Sequence, residues 1–166
     1  RVYLNGELLG EHTSGLTPVE WDVTDRLTPG ETVLVAVRLR RKHPYVDLDM
    51  PRHAMEFTGL AQEAFLHATE SAHIRHYGLP ALLGQSCGAG TVGGTVTLAN
   101  DGDRPVEATF RAELLDPAGK VVASFDQVAS LPAGRTTDLP VHLEVLSPVL
   151  WTDERPMLYT CRLTLT

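Results

Sequence analysis

Cysteine is scarce in this chain, which carries Cys87 and Cys161 among its 166 residues. Two thiols can form one disulfide at most, so the sequence excludes the small secreted scaffolds that depend on dense bridging. The pairing of the two stays open, because the geometry of a bridge cannot be read from the sequence. Two free thiols are the simpler interpretation. So few cysteines favour a reducing, cytoplasmic compartment without fixing the localisation.

Long apolar runs and an excess of basic residues are also missing. No run approaches the ~20 apolar residues that a transmembrane helix needs. The 14 basic residues are outnumbered by 21 acidic ones, which gives a net charge of -7. A surface of that sign repels phosphate backbones. We therefore expect neither a membrane nor a nucleic acid among the partners of this chain.

Amphipathic helical patterns are nearly absent as well, and the dominant apolar period is two. The clearest runs of alternate residues are Val33, Val35, Val37 and Leu39, then Ala108, Phe110, Ala112 and Leu114, then Val141, Leu143 and Val145. A period of two is typical of strands that bury one face. Clusters of glycine, proline, asparagine and aspartate separate these runs and supply turns. The sequence therefore predicts an all-β fold, a sandwich or a barrel.

Two stretches interrupt this rhythm. Residues 42–56 are polar and marked by proline, which indicates a long loop. Residues 78–94 are rich in glycine, and we expect a connection or an irregular edge strand there rather than a core element. A domain boundary is expected just before it, near Ser71. Residues 55–68 have a partial helical period, but a glycine near their middle favours a turn followed by a strand over 63–68.

Both ends of the chain have strand character. Residues 1–4 alternate and run into Asn5-Gly6, a dipeptide that favours a two-residue type I′ hairpin turn. Residues 159–166 alternate without a terminating signal, and the first residue is not methionine. We therefore expect the sequence to be a piece of a longer polypeptide.

Three segments are informative when taken together. They are Val2-Tyr3-Leu4-Asn5-Gly6-Glu7-Leu8-Leu9-Gly10 with Pro18-Val19-Glu20-Trp21-Asp22, then Asp49-Met50 with Glu63-Ala64-Phe65-Leu66, then Pro148-Val149-Leu150-Trp151-Thr152-Asp153-Glu154-Arg155-Pro156-Met157-Leu158-Tyr159. In this order they resemble the non-catalytic front half of family 2 glycoside hydrolases, which include β-galactosidases and β-glucuronidases. The resemblance implies that residues 1–70 are the C-terminal part of a sugar-binding jelly-roll domain and that residues 71–166 are an immunoglobulin-like β-sandwich domain. Trp151 and Tyr159 are then expected to pack at a domain edge.

The same resemblance implies a function for the parent polypeptide. It would be a retaining β-glycosidase, β-galactosidase-like, whose two catalytic carboxylates stand on a (β/α)8 barrel outside this sequence. We expect no catalytic residue in the present chain, which would support and partly line the pocket for a β-galactoside-like carbohydrate and would be inactive alone. The alternative is a non-enzymatic carbohydrate-binding or adhesion module.

Asp49 is the sharpest candidate for a binding residue. In the resembling β-galactosidases, an acidic residue directly before methionine reaches the substrate pocket and contacts sugar hydroxyls and a monovalent cation. A carboxylate suits both contacts, because it accepts hydrogen bonds and offers oxygen to a hard cation. Asp47 is the weaker second choice, and a solvated loop carboxylate is the structural alternative for Asp49. Pro51 and Gln62 depart from the family pattern. No cofactor is expected in this segment, and Na or Mg is the candidate ion of the parent enzyme.

Two further expectations concern metals and assembly. His73 and His76 are three residues apart on a predicted strand, so they should project to opposite faces and form no transition-metal site. Residues 1–70 lack the earlier strands of a jelly roll and should therefore present open sheet edges. Homo-oligomers could form through these edges.

Overall fold

The computed structural model describes residues 1–13, 17–40, 59–60 and 62–166. The chain divides into two compact units, Arg1–Leu66 (unit 1) and His67–Thr166 (unit 2). The assignment of residues 1–70 to a jelly roll and of residues 71–166 to an immunoglobulin-like domain stays a prediction.

The regular elements within the described ranges are ten β-strands and one 3-10 turn, Thr24–Arg26, which confirms the all-β prediction. The strands are β1 (Val2–Leu4), β2 (Glu7–Gly10), β3 (Val35–Val37), β4 (Ala72–Gly78), β5 (Ala81–Leu83), β6 (Ala89–Asn100), β7 (Val106–Leu115), β8 (Val121–Leu131), β9 (Arg135–Leu146) and β10 (Thr160–Leu165). In the same ranges, no helix is long and apolar enough to cross a membrane.

Unit 1 contains a three-stranded antiparallel sheet in the order β2-β1-β3. The predicted hairpin turn between β1 and β2 is confirmed, since Asn5 and Gly6 have φ angles of 49° and 89° and Leu4 pairs with Glu7. Both central residues of a type I′ turn need positive φ, which asparagine and glycine adopt most readily. Asn5 also fixes the entry to β3, because its Oδ1 accepts a hydrogen bond from the Leu34 amide at 2.9 Å.

The expected buried face of residues 33–39 is not formed in unit 1. The strand is limited to Val35–Val37, and the Val35 side chain is 59% exposed. In the described part of unit 1, Leu4 is the only buried apolar residue. A strand face becomes core only when a second layer covers it, and the described residues supply no such layer.

The predicted strand over residues 63–68 is wrong. These residues belong to no strand ladder and are exposed, including Phe65 at 83%. The described residues of the alternative helix are not helical either. A strand is stabilised by hydrogen bonds to a neighbour, and within the described part no neighbour pairs with this segment.

Unit 2 is a two-layer antiparallel sandwich. One sheet has the order β10-β7-β8, and in the other β6 is central. β9 pairs along one side of β6, while β4 and β5 pair in succession along the other side. Strands of both sheets contribute to one buried cluster, in which Phe110 of β7 and Leu98 of β6 are fully buried. The alternating faces predicted over 108–114 and 141–145 are confirmed as the faces that point into this core.

For the glycine-rich residues 78–94, the expected connection or irregular edge strand is found up to residue 88, where β5 is a short edge strand, and is wrong from Ala89 onward. Residues 84–88 form a turn, but from Ala89 onward the chain is β6, the twelve-residue central strand. The glycines serve a close approach between neighbouring backbones: a Cβ on Gly94 would collide with the carbonyl oxygen of Gly78. At this level the β4–β5 edge turns through Leu79 and Pro80, and the Gly93 amide donates to the Pro80 oxygen at 3.2 Å. Glycine is thus required for packing in the middle of the sheet.

Candidate functional site

Asp49 and Asp47, the predicted sugar-binding residues, lie outside the described residues, as do Met50 and Pro51. The described neighbours of this segment are Arg40 on one side and Gly59 on the other. The proposed contacts of Asp49 with sugar hydroxyls and a cation therefore stay a prediction.

In unit 1, two carboxylates accept hydrogen bonds on the protein surface. Arg1 donates from Nε to Glu11 Oε2 at 3.0 Å, and this hydrogen bond holds the pKa of Glu11 below its ordinary value. Asp22 accepts from the amide and the hydroxyl of Thr24 at 2.9 and 2.7 Å, which lowers the Asp22 pKa. Both groups are exposed and ionised at neutral pH. A general acid in glycoside cleavage needs a raised pKa, so neither group is suited to that role.

In unit 2, carboxylates link neighbouring strands on the outer faces of the sandwich. Asp126 of β8 pairs with Arg111 of β7, and Glu113 of β7 lies 3.5 Å from Arg162 of β10. The Thr97 hydroxyl donates to Asp138 at 2.6 Å across β6 and β9. These are cross-strand pairs, each of which adds a small stabilisation to the sheet.

The two strand histidines are arranged differently from the prediction. A β-bulge between Ile74 and His76 shifts the register by one residue. His73 then lies opposite Ala99 and His76 opposite Thr97. Because alternate residues share a face of a strand, the two histidines lie on the same face, and the argument from their spacing was wrong. In the part of the chain with defined placement, no group of three or more His, Cys, Asp or Glu is arranged to hold a metal.

Asn100 is a buried polar residue that the sequence reasoning missed. It is fully buried at the end of β6, and its Nδ2 donates to the carbonyl oxygens of Arg104 and Leu131 at 2.8 and 2.9 Å. Its Oδ1 accepts from the Gly102 amide at 3.0 Å. The sequence does contain a signal for this burial, because Asn100 follows Val96 and Leu98 at intervals of two residues and so lies on the same, buried face of β6. The side chain joins the β6–β7 turn to the end of β8, which is a structural role.

The two aromatic residues of the segment between β9 and β10 have different environments. Tyr159 packs against the core, and its Oη accepts from the Val149 amide at 2.9 Å. Trp151 is 58% exposed, so its packing at a domain edge stays a prediction. Mutual hydrogen bonds of 3.1 Å between the backbones of Thr152 and Arg155 form a tight turn directly after it.

Two shallow cavities lie at opposite ends of unit 2. One of about 540 Å³ lies beside Tyr159 and is bordered by Asp116, Glu144 and Val149. A second, of about 380 Å³, is bordered by Asp101 and Arg135 at the other end of unit 2.

Cys87 and Cys161 are both free, which agrees with the simpler interpretation of the sequence. Partial burial raises the pKa of the Cys161 thiol.

Comparison with known proteins gives a match to a family model and to relatives that are several times longer than this chain. The family model for Glycosyl hydrolases family 2 matches residues 72–166. The chain is 31% identical to a β-galactosidase of Halalkalibacterium halodurans over 95% of its own length and 15% of the relative. It is 28% identical to a β-galactosidase of Priestia megaterium over 99% of its own length and 16% of the relative.

A solved structure has the same fold over almost the whole chain. The structure of a β-glucuronidase from glycoside hydrolase family 2 superposes with a TM-score of 0.84 at 21% identity. The superposition covers 99% of this chain and 19% of that one. The chain therefore spans less than a fifth of the length of each of these three proteins.

Proposed function

The chain belongs to glycosyl hydrolases family 2, and from this we propose that it is a non-catalytic segment of a retaining, β-galactosidase-like enzyme. The observation that carries the proposal is the pattern of coverage. Almost all of this chain aligns with 15% and 16% of two proteins named β-galactosidase. A segment of that size, built of two β units, supplies support and part of a pocket wall.

Unit 2 is suited to a supporting role. Its two sheets share one buried cluster that includes Phe110, and interiors of this kind are densely packed and resist compression. A rigid support holds neighbouring side chains within the narrow tolerance that catalysis requires.

Asp49 is the residue that we propose for substrate contact. Its carboxylate would accept hydrogen bonds from two sugar hydroxyls and would offer an oxygen to a monovalent cation, the candidate being Na, with Mg as a second ion of the parent enzyme. Asp47 is the second choice. The proposal is supported by the Asp49-Met50 dipeptide and by membership of the family.

Hydrolysis itself is assigned to the rest of the parent polypeptide. Retaining glycosidases need an acid/base carboxyl and a nucleophilic carboxylate ~5 Å apart. We propose that both stand on a barrel outside this sequence, so the 166-residue chain alone should not hydrolyse a β-galactoside.

The test is substitution of Asp49 in the full-length polypeptide. We expect Asp49→Ala to reduce kcat/KM for a β-galactoside by about ten-fold or more, because a lost contact to a charged group is worth roughly 1.5–3 kcal/mol. The midpoint of thermal unfolding should stay nearly unchanged, since a binding carboxylate contributes little to folding. Asp49→Asn tests the charge alone, and Asp47→Ala tests the second choice in the same assay.

Two outcomes would contradict this. Unaltered turnover in Asp49→Ala would remove Asp49 from the site. A full-length polypeptide that binds carbohydrate without any turnover would favour the alternative of a non-enzymatic binding module.

A further inference from the structure

One end of unit 2 carries an unusual concentration of exposed apolar side chains. We name it the apolar end. It comprises eight residues whose exposed fractions lie between 41% and 76%: Leu82, Leu83, Leu146, Val149, Leu150, Trp151, Met157 and Leu158. Single exposed apolar residues are normal, whereas clusters of them mark interaction surfaces.

The strand register brings these residues to the same end of the sandwich. Leu83 of β5 pairs with Gly90, and Leu146 at the end of β9 pairs with Ala89. The Ser147 amide donates to the Gly88 oxygen at 2.8 Å. Two edges of the sheet and the start of the segment after β9 therefore meet around the first residues of β6.

Local hydrogen bonds give the rest of the apolar end a defined shape. Tyr159 Oη accepts a hydrogen bond from the Val149 amide at 2.9 Å. The tight turn formed by Thr152 and Arg155 connects Trp151 to the stretch that contains Met157 and Leu158. The Arg155 amide also donates to the Thr152 hydroxyl at 3.0 Å. A surface with fixed backbone loses less conformational entropy when a partner binds.

The border of the apolar end is mainly acidic. Asp116 and Glu144 line the cavity of about 540 Å³ that adjoins Leu146 and Val149. Asp153 and Glu154 lie in the turn after Trp151, and the basic residues of these segments are Lys120 and Arg155. A symmetric dimer would place the same border against itself and would bring these four carboxylates together. The charges favour a partner whose border is basic.

We propose that the apolar end docks onto another domain of the same, longer polypeptide, which presents an apolar face bordered by lysine or arginine. This inference rests on the proposed function, in which the chain is a segment of a larger enzyme. The β-galactosidase relatives support that occupant, since 15% and 16% of their lengths align here and the remainder lies outside. Docking would fix the sandwich that supports the pocket.

Hydrogen exchange of the backbone amides tests the docking. The 166-residue chain and the full-length polypeptide are compared under the same conditions. We expect the amides of residues 146–158 to exchange about ten-fold or more slowly in the full-length protein, because a docked surface opens less often. Amides of residues 124–130 in β8, which carry the exposed Val128, serve as the internal control and should not change. Equal exchange of residues 146–158 in both proteins would overturn the proposal.

A matched pair of substitutions in the full-length protein sharpens this test. Leu158 is 72% exposed in the apolar end, and Val128 is 64% exposed on β8. Leu158→Ser should return the exchange rates of residues 146–158 towards those of the 166-residue chain, whereas Val128→Ser should leave them slow. Equal behaviour of the two variants counts against docking. The same substitutions in the 166-residue chain check that unit 2 keeps its unfolding midpoint.

The remaining outcomes separate this inference from the proposed function. β-Galactoside hydrolysis is measured in the same full-length preparation, and its absence refutes the enzyme assignment while the exchange data still decide the docking. Sedimentation of the 166-residue chain tests for a dimer. A dimer that Leu158→Ser dissociates would show that the occupant is a second copy and would overturn our choice of partner.

Discussion

Units 1 and 2 contain the same sequence pattern with opposite outcomes. In β3 of unit 1 the alternating valines are exposed, with Val35 at 59%, whereas in β7 of unit 2 the alternating residue Phe110 is fully buried. Both segments are strands, and each has a neighbour in its sheet. The difference is that β7 faces a second sheet. Alternation therefore identifies a strand, while burial depends on the layer opposite.

This difference predicts where the folding stability resides. A fully buried large apolar side chain contributes about 1.5–3 kcal/mol relative to an exposed one. Unit 2 buries such side chains from β6 to β9 in one cluster, while the described part of unit 1 buries Leu4 alone. We therefore expect unit 2 to dominate the cooperative unfolding of the 166-residue chain.

The largest expected effect comes from removing the centre of the unit 2 core. Phe110→Ala should lower the free energy of unfolding by about 3–5 kcal/mol, because it leaves a cavity beside Phe125, whose ring centroid lies 6.4 Å away. Val35→Ala in unit 1 should change it by less than about 0.5 kcal/mol. Urea unfolding followed by circular dichroism measures both. Similar losses for the two variants would mean that β3 is covered in solution.

A smaller effect is expected from the two structural asparagines. Asn100→Ala leaves the carbonyl oxygens of Arg104 and Leu131 without their buried donor, which should cost about 2–3 kcal/mol. Asn5→Ala removes an exposed hydrogen bond and places alanine at positive φ. We expect this to lower the free energy of unfolding by about 1 kcal/mol. The same urea experiment applies. A loss for Asn5→Ala as large as that for Asn100→Ala would contradict the ranking of the two units.

The smallest expected effect is the loss of folding stability at acid pH through two surface carboxylates of unit 1. Glu11 and Asp22 have pKa values below their ordinary ones because Arg1 and Thr24 donate to them. A depressed pKa stabilises the folded state at pH values above the ordinary pKa, and this contribution is lost as the pH falls through the lower, folded value. Both groups are exposed, so the loss on going below about pH 4 should be small and weakened by salt.

Carboxyl-carbon NMR titration checks this directly. The midpoints of Glu11 and Asp22 should be lower in the native chain than in the urea-unfolded chain. Identical midpoints in the two states would show that these contacts are absent in solution.

Local features of the fold were predictable where a few neighbouring residues decide the conformation. The Asn5-Gly6 turn and the buried face of β7 follow from side-chain geometry within a few residues. The turn before β8 is of the same kind, because Asp116 accepts hydrogen bonds from the amides of Ala118 and Lys120, both at 2.9 Å. Such turns depend on aspartate and glycine at fixed positions.

Other features depend on contacts between distant segments and were therefore missed. The glycine content at the start of β6 favours a connection, because the approach of Gly78 to Gly94 is not visible in either segment alone. The bulge in β4 reversed the expected side of His76 relative to His73. As for the candidate site, Asp49 was reached through the family resemblance, since a single carboxylate in a polar loop has no spacing that identifies a ligand.

The turn at Leu79 and Pro80 has a consequence for self-association. It divides the outer edge of the β6 sheet into β4 and the three-residue β5, and proline offers no amide hydrogen. A foreign strand arriving along this edge would meet an interrupted row of donors and acceptors. Short, broken edges of this kind resist amyloid-like stacking. The segment that keeps Gly78 against Gly94 thus also protects this edge of the β6 sheet from pairing with another chain.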